Sequence, residues 1–193
     1  MKNRLIGITG VTGVGKDYLV TAANADKKIQ VRNLGTLVGE ALQMDRDMMM
    51  RSANPEEIRA AQLSAYKAVV KQQPLVVTCH AIRELPSGDF SYDEEMERIF
   101  NPYSYIFVKA PAEIIRDRVV HRNQSGERKS VELSVAQIEE EQSTKLEMTH
   151  ELTDYLCTRL IVLDNIDEAY VRNVAVLRNE INAVADIQRG VEL

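Results

Sequence analysis

Short apolar runs alternate along the chain with longer stretches in which apolar side chains recur at helical spacing. The runs are Leu5 to Thr9, Leu75 to Thr78, Tyr105 to Val108 and Leu160 to Leu163, with a weaker one at Ile29 to Arg32. Runs of this length, without polar alternation, predict strands buried on both faces. Between them the spacing predicts helices from Lys16 to about residues 25–28 and from Thr36 to Met44, the latter with Thr36 as its cap. A third helix starts at Asn54-Pro55-Glu56-Glu57, where a cap residue, a proline and first-turn acids coincide. It runs to about Lys71 with Ile58, Ala61, Ala65 and Val69 on one face. Residues 84 to 93 contain Pro86, Ser87 and Gly88 and read as a loop, followed by a short helix. Pro111 opens the next helix, and residues 122 to 130 are polar throughout. A long helix spans about Ser134 to Thr158. The last, from Asp167 to about Gln188, sets Val171, Val174, Leu177, Ile181 and Val184 on one side. Strands alternating with helices predict an α/β fold with a doubly wound, five-stranded parallel sheet. Residues 1–193 form one domain in this reading, and the segments at about 33–73 and 120–134 are expected to move against it.

Composition narrows the class. With 45% hydrophobic and 27% charged residues among 193, the chain is globular in character. A net charge of −5 disfavours a protein that grips a nucleic-acid polymer by its backbone. No apolar run approaches the length of a membrane span, and Met1 to Lys16 lacks the layout of a signal peptide, so a cytoplasmic location is expected. Two cysteines, Cys79 and Cys157, make neither a disulfide framework nor a zinc site. Cys157 is expected in the core, and Cys79 is expected to be packed at the end of its strand.

The strongest chemical signal is Gly10-Val11-Thr12-Gly13-Val14-Gly15-Lys16-Asp17-Tyr18, lying between the first strand and the first helix. It fits Gly-x-x-x-x-Gly-Lys, a loop whose glycines let backbone amides converge on an anion and whose lysine follows the β and γ phosphates. ATP is therefore the expected cofactor, held by Gly10, Thr12, Gly13, Val14, Gly15, Lys16, Asp17 and Tyr18, with Lys16 catalytic. The residue after the lysine is normally a serine or threonine that ligates Mg²⁺. Here it is Asp17, a hard carboxylate ligand. The strand ending at Thr78 offers no acid, so Asp17 is the expected metal residue.

Together with Asn33-Leu34-Gly35-Thr36, Asp45-Arg46-Asp47, His80, Arg118, Arg128 and Asn165, this loop resembles the nucleoside monophosphate kinases, in particular the archaeal-type adenylate kinases. The resemblance extends over about residues 4 to 166. It implies a strand order of 2-3-1-4-5, a triphosphate on the loop, an acceptor held by the 33–73 segment and a lid at 120–134. By the same resemblance Thr36 and His80 line the acceptor site, Arg118 and Arg128 act catalytically from the lid side, and Asn165 lies by the adenine. Arg122, four residues after Arg118, joins them on the same helix face. Arg51 and Arg83 are further acceptor-side candidates. The implied partner is a small phosphorylated molecule, AMP or a deoxynucleotide; the oligomeric state stays open.

Several positions depart from that pattern. Met50 stands where the family has an arginine, Arg51 comes one step late, and Lys145-Leu146 replaces an arginine-bearing stretch. The 84–91 loop is also unlike the family's. The loop sequence is similar as well to those of viral deoxynucleoside monophosphate kinases and phosphomevalonate kinases. Leu5-Ile-Gly-Ile-Thr-Gly is similar to the start of dephospho-coenzyme A kinase. A different class, an ATP-gated interaction protein without transfer chemistry, also remains open.

Overall fold

The computed structural model describes residues 2–44, 54–85, 87–126 and 130–186. In chain order its elements are β1 (Asn3–Thr9), α1 (Lys16–Ala23), β2 (Gln30–Asn33), α2 (Leu34–Leu42), α3 (Pro55–Lys71) and β3 (Leu75–Thr78). There follow β4 (Arg83–Glu84), β5 (Phe90–Ser91), α4 (Glu94–Phe100), β6 (Pro102–Lys109) and α5 (Ala112–Gln124). The chain continues through α6 (Val135–Tyr155), β7 (Arg159–Asp164), a 3₁₀ turn (Asp167–Ala169) and α7 (Tyr170–Asp186). The main sheet runs β2-β3-β1-β6-β7, every neighbouring pair parallel. Counting these five strands alone gives the order 2-3-1-4-5, as expected.

Side chains alternate across the central strands and so feed two cores. Leu5, Leu75, Val77 and Tyr105 face α3, α4 and the end of α6, where they meet Ala65, Val69, Phe100 and Leu152. Ile6, Ile8, Val76, Ile106 and Val108 face the other way, onto Leu19 and Val20 of α1 and Leu177, Ile181 and Val184 of α7. With both faces covered, β1 and β3 lie deep in the molecule, and their carboxyl ends open on one edge.

Four expectations need correction. Asn33, not Thr36, caps α2: its side chain accepts from the Thr36 amide at 3.1 Å, because β2 runs straight into the helix. The 84–93 segment is a small antiparallel hairpin rather than a plain loop, with Arg83 opposite Ser91 and Glu84 opposite Phe90. Its turn is closed by Leu85 N to Asp89 O at 2.7 Å. Cys157 is exposed rather than core, since α6 stops at Tyr155 and the chain turns there with a left-handed φ of 50°. Val171 is 78% exposed, on the outer side of the first turn of α7, while Leu177, Ile181 and Val184 of the same helix are buried. The end of that helix past Asp186 lies outside the described residues.

The α3–α4 core contains a charge. Glu97, 1% exposed, accepts from the Tyr66 hydroxyl at 2.9 Å with one oxygen and from the Tyr105 hydroxyl with the other. Phe100 packs edge-on to Tyr66 at 5.5 Å between ring centres and lies 5.9 Å from Tyr105. Burial raises the Glu97 pKa from 4.5 to about 7, against the lowering effect of the two hydroxyls and of Arg83.

Two outcomes follow for stability. A carboxyl whose folded pKa exceeds its unfolded value binds more protons when folded, so its contribution is full below pH 4.5 and lost as pH rises through about 7. Denaturant midpoints measured across that window should fall further in the wild type than in Glu97→Gln; equal slopes would clear Glu97 of the effect. Gly7 is a steric matter: a β-carbon there would sit 2.5 Å from Tyr105 Cε1 and 3.0 Å from Phe100 Cε1. Gly7→Ala is expected to cost about 1–3 kcal/mol, read as a drop of several degrees in the unfolding temperature.

Candidate functional site

The loop between β1 and α1 is wound tightly against its neighbours. Gly10 has φ 137°, and a β-carbon there would overlap the Val108 carbonyl oxygen of β6. Gly15, at φ 94°, caps α1 in the left-handed region and has the Asn165 side-chain amide where a β-carbon would be. Val14 sends its side chain into the core, fully buried, and its carbonyl outward. That carbonyl accepts from Arg118 Nη1 at 3.1 Å and from Asn165 Nδ2 at 2.7 Å. A helix that starts after such a turn presents unpaired amides, which is the physical basis of phosphate binding at this type of loop.

A cleft of about 1400 Å³ opens above the loop. Thr12, Gly13, Gly15, Lys16, Asp17 and Tyr18 line its floor, and Arg118 and Arg122 of α5 line one side. Thr36 of α2, His80 beyond β3 and Arg83 of β4 line the opposite side. The structure thus brings most of the candidate residues to one place. Gly10 and Val14 are buried under the floor, and Asn165, 5% exposed, acts on the loop through Val14. Arg51, Arg128, Met50 and the Asp45-Arg46-Asp47 stretch lie outside the described residues. Where the described chain resumes at Ser130, it is held to α5: Arg122 Nη2 donates to Ser130 Oγ at 3.0 Å, and Asn123 exchanges two hydrogen bonds with the Ser130 backbone.

Lys16 donates to the carbonyls of Gly10 and Val11 at 2.7 and 3.0 Å. Burial lowers its pKa from 10.5 to about 8, opposed by the Asp17 carboxylate, so it is mostly charged at pH 7. His80 behaves oppositely. Burial, then the ammonium groups of Lys16 and Lys145, lowers its pKa from 6.5 to about 3. The surface that His80 keeps toward the open cleft moderates that shift; the direction leaves a neutral imidazole at pH 7. Burial pushes the neighbouring Cys79 thiol up, so it stays protonated. Lys145 is buried in α6, paired with Glu141 at 2.6 Å and 5.4 Å from the Phe90 ring centre.

Asp17 is exposed at the cleft floor, next to where the loop amides point. Among the described residues no group of three or more His, Cys, Asp or Glu side chains converges on a metal position. One carboxylate fits a Mg²⁺ that takes its other ligands from phosphate oxygens and water. Also among the described residues, no helix is long and apolar enough to cross a membrane.

Asn33, quoted above only as part of a motif, and two residues that sequence reasoning passed over also line the cleft on the side of α2 and β3. Asn33 donates from Nδ2 to Thr78 Oγ1 at 3.0 Å, joining the ends of β2 and β3, and it lines the cleft. Gln62 and Tyr66 of α3 line it too, Gln62 accepting from Arg83 Nη1. Their four-residue spacing, with Arg59 three residues before, was the available sign of a polar helix face. At the cleft floor Tyr18, 64% exposed, stacks on Tyr170 at 5.3 Å between ring centres.

A scan against protein-family models and a search of curated proteins each found no match. Solved structures do resemble the chain. Shikimate kinase from Acinetobacter baumannii, in complex with shikimate, superposes with a TM-score of 0.61 at 11% identity, over 95% of each chain. Shikimate kinase from Bacteroides thetaiotaomicron gives 0.61 at 12% identity, over 92% of this chain and 98% of its own. A gluconokinase from Sinorhizobium meliloti gives 0.58 at 16%, over 100% of both. At these identities the likeness is one of fold. Together with the sheet order and the loop after β1, it shows a doubly wound α/β fold of the P-loop kinase type.

Proposed function

We propose that the protein transfers the γ-phosphate of ATP to a small acceptor that already carries a phosphate, in first place a nucleoside monophosphate, AMP or a deoxynucleotide. The observation that carries this reading is the single cleft in which Lys16 and the loop face Arg118 and Arg122 on one side and Arg83 on the other. Cations on both sides of the floor suit two phosphorylated substrates meeting over the loop.

The chemistry of the far wall favours an acceptor that is already ionised. A hydroxyl acceptor such as shikimate or gluconate, named in the neighbouring structures, has a proton to lose during transfer. Among the described residues, the ends of β2 and β3 offer Asn33 and Thr78, hydrogen-bonded to each other, and no carboxylate; Glu40, which also lines the cleft, stands near the far end of α2, away from the strand ends. His80, with its lowered pKa, is a weak base there. A phosphate oxygen needs no base.

In this reading Lys16 and the loop amides hold the β and γ phosphates and follow the charge during in-line transfer. Lys16 leaves the Gly10 and Val11 carbonyls to do so. Asp17 would hold Mg²⁺, which when bound offsets phosphate charge and orients the γ group. Arg118 and Arg122 lie on the lid side, where they stabilise the transferring group, and Thr36, His80 and Arg83 receive the acceptor. Arg128 and Arg51 are proposed for the same two sides. Asn165 holds the loop in shape through Val14 and stands close to where the donor base leaves the loop.

The test is product formation from MgATP with a panel of AMP, GMP, CMP, UMP, their deoxy forms, phosphomevalonate, dephospho-coenzyme A, shikimate and gluconate. One phosphorylated acceptor should be taken, and Lys16→Ala should lower kcat/KM by about 100-fold or more. Transfer to shikimate or gluconate alone would overturn the phosphorylated-acceptor reading. ATP binding with no transfer to any acceptor would favour an ATP-gated interaction protein. In Asp17→Asn the Mg²⁺ concentration for half-maximal activity should rise about tenfold; an unchanged metal titration would remove Asp17 from the metal site.

A further inference from the structure

Three side chains on one face of α3 are tied to the elements beside it. Arg59 bonds Asp93 at 3.0 Å and Glu95 at 2.8 Å, Gln62 accepts from Arg83, and Tyr66 donates to Glu97 at 2.9 Å. Residues 59, 62 and 66 are spaced three and four apart, so they form one seam. Arg59 makes its bonds at the surface, but Glu97 makes its own in the core. A buried carboxylate is costly unless compensated, and this one has only hydroxyl donors in contact. A cation whose charge favours the ionised carboxylate is Arg83, and its side chain lines the cleft. Tyr66 lines the cleft as well. Glu97 therefore meets the wall from behind through Tyr66 and acts on Arg83 by its charge alone, without itself lining the cleft.

We propose that Glu97 is a positioning residue for the acceptor: through the Tyr66 hydroxyl and its field on Arg83, it sets how the wall presents its cation to a phosphomonoester. This rests on the acceptor reading above. With Glu97 ionised, Arg83 is drawn back toward the carboxylate and Gln62; with Glu97 protonated, the full guanidinium charge is left to the cleft. The groups that face Glu97 are few. Tyr66 comes from α3 and Tyr105 from β6, both with pKa values raised by burial and therefore neutral donors. Cys79 lies beyond β3 and is held protonated. Arg83 comes from β4, and Asp93, at the start of α4, is already paired with Arg59. Near neutral pH, Glu97 is the member of this set whose charge changes, at about 7. Acceptor binding should then weaken as pH rises through that value.

The acceptor's own second phosphate ionisation, near pH 6, acts in the opposite sense, so the measurement is a ratio. The acceptor KM of the wild type relative to Glu97→Gln should rise about threefold across the Glu97 transition, while the same ratio for MgATP stays flat. In parallel, the Arg83 Nε resonance of the full chain should shift with an inflection near 7 in the wild type and none in Glu97→Gln. Should that variant fail to fold, Tyr66→Phe keeps the ring, removes one hydrogen bond to the carboxylate and should move the inflection upward. A flat Arg83 resonance, or an acceptor ratio that moves together with the MgATP ratio, overturns the proposal. If Arg83 titrates but no acceptor is phosphorylated, the kinase reading has failed separately. The concentration of inorganic phosphate needed to shift the Arg83 resonance then replaces KM. A lower requirement in acid than in base, relative to Glu97→Gln, upholds positioning, and none overturns it.

Discussion

The carbonyl of Val14 accepts from Arg118 on one flank and Asn165 on the other, while the Val14 side chain is locked in the core. That pair of bonds fixes one peptide plane, and the left-handed turn at Gly15 then swings the following amides toward the cleft. The start of α1, the direction of Lys16 and the place of Asp17 all follow from it. The two donors come from the end of β7 and from α5, so both outer elements of the sheet's second half report to the same oxygen. Beneath, Gly10 lets the loop pass within contact of the Val108 carbonyl. The cleft floor is thus made mostly of backbone, held by side chains that stand outside it.

The wall opposite α5 is built differently. It consists of side chains from α2, α3 and β4, and its helices meet the rest of the molecule through Asn33–Thr78, Gln62–Arg83 and Tyr66–Glu97 as much as through apolar packing. Such polar contacts have directions, so a shift of the wall by one ångström breaks bonds that apolar packing would merely slide past. The two halves of the cleft therefore differ in kind: a backbone floor pinned through one carbonyl, and a side-chain wall of which one contact, Tyr66–Glu97, involves a titrating group.

This difference explains what the sequence disclosed. The strands at Leu5, Leu75 and Tyr105 were legible because both faces are buried, and the one at Leu160, at the sheet edge and only partly buried, because its apolar run is unbroken. The loop from Gly10 to Lys16 was legible because its conformation demands particular residues at fixed spacing. The wall was not. Gln62 and Tyr66 look like ordinary helix residues until Arg83 and Glu97, 21 and 31 positions later, are brought against them. The Asn33 cap was missed because a strand passing directly into a helix leaves no polar linker to mark the boundary. Cys157 was misplaced because its apolar neighbours belong to two different elements, with the turn between them. Asn165 showed its place by resemblance, but its bond to Val14 depends on the β6–β7 register, which no local pattern encodes.

The Tyr18–Tyr170 stack has an optical consequence. The chain has seven tyrosines and no tryptophan, so its near-ultraviolet emission comes from tyrosine alone. Tyr66 and Tyr105 are buried against a carboxylate, a setting that quenches phenol emission in the excited state. Tyr18 is solvent-facing, two residues beyond Lys16, and rests on a second phenol ring. The protein thus carries a stacked phenol pair beside the loop after β1, with no indole to mask it, whose emission adds to that of Tyr92, Tyr103 and Tyr155.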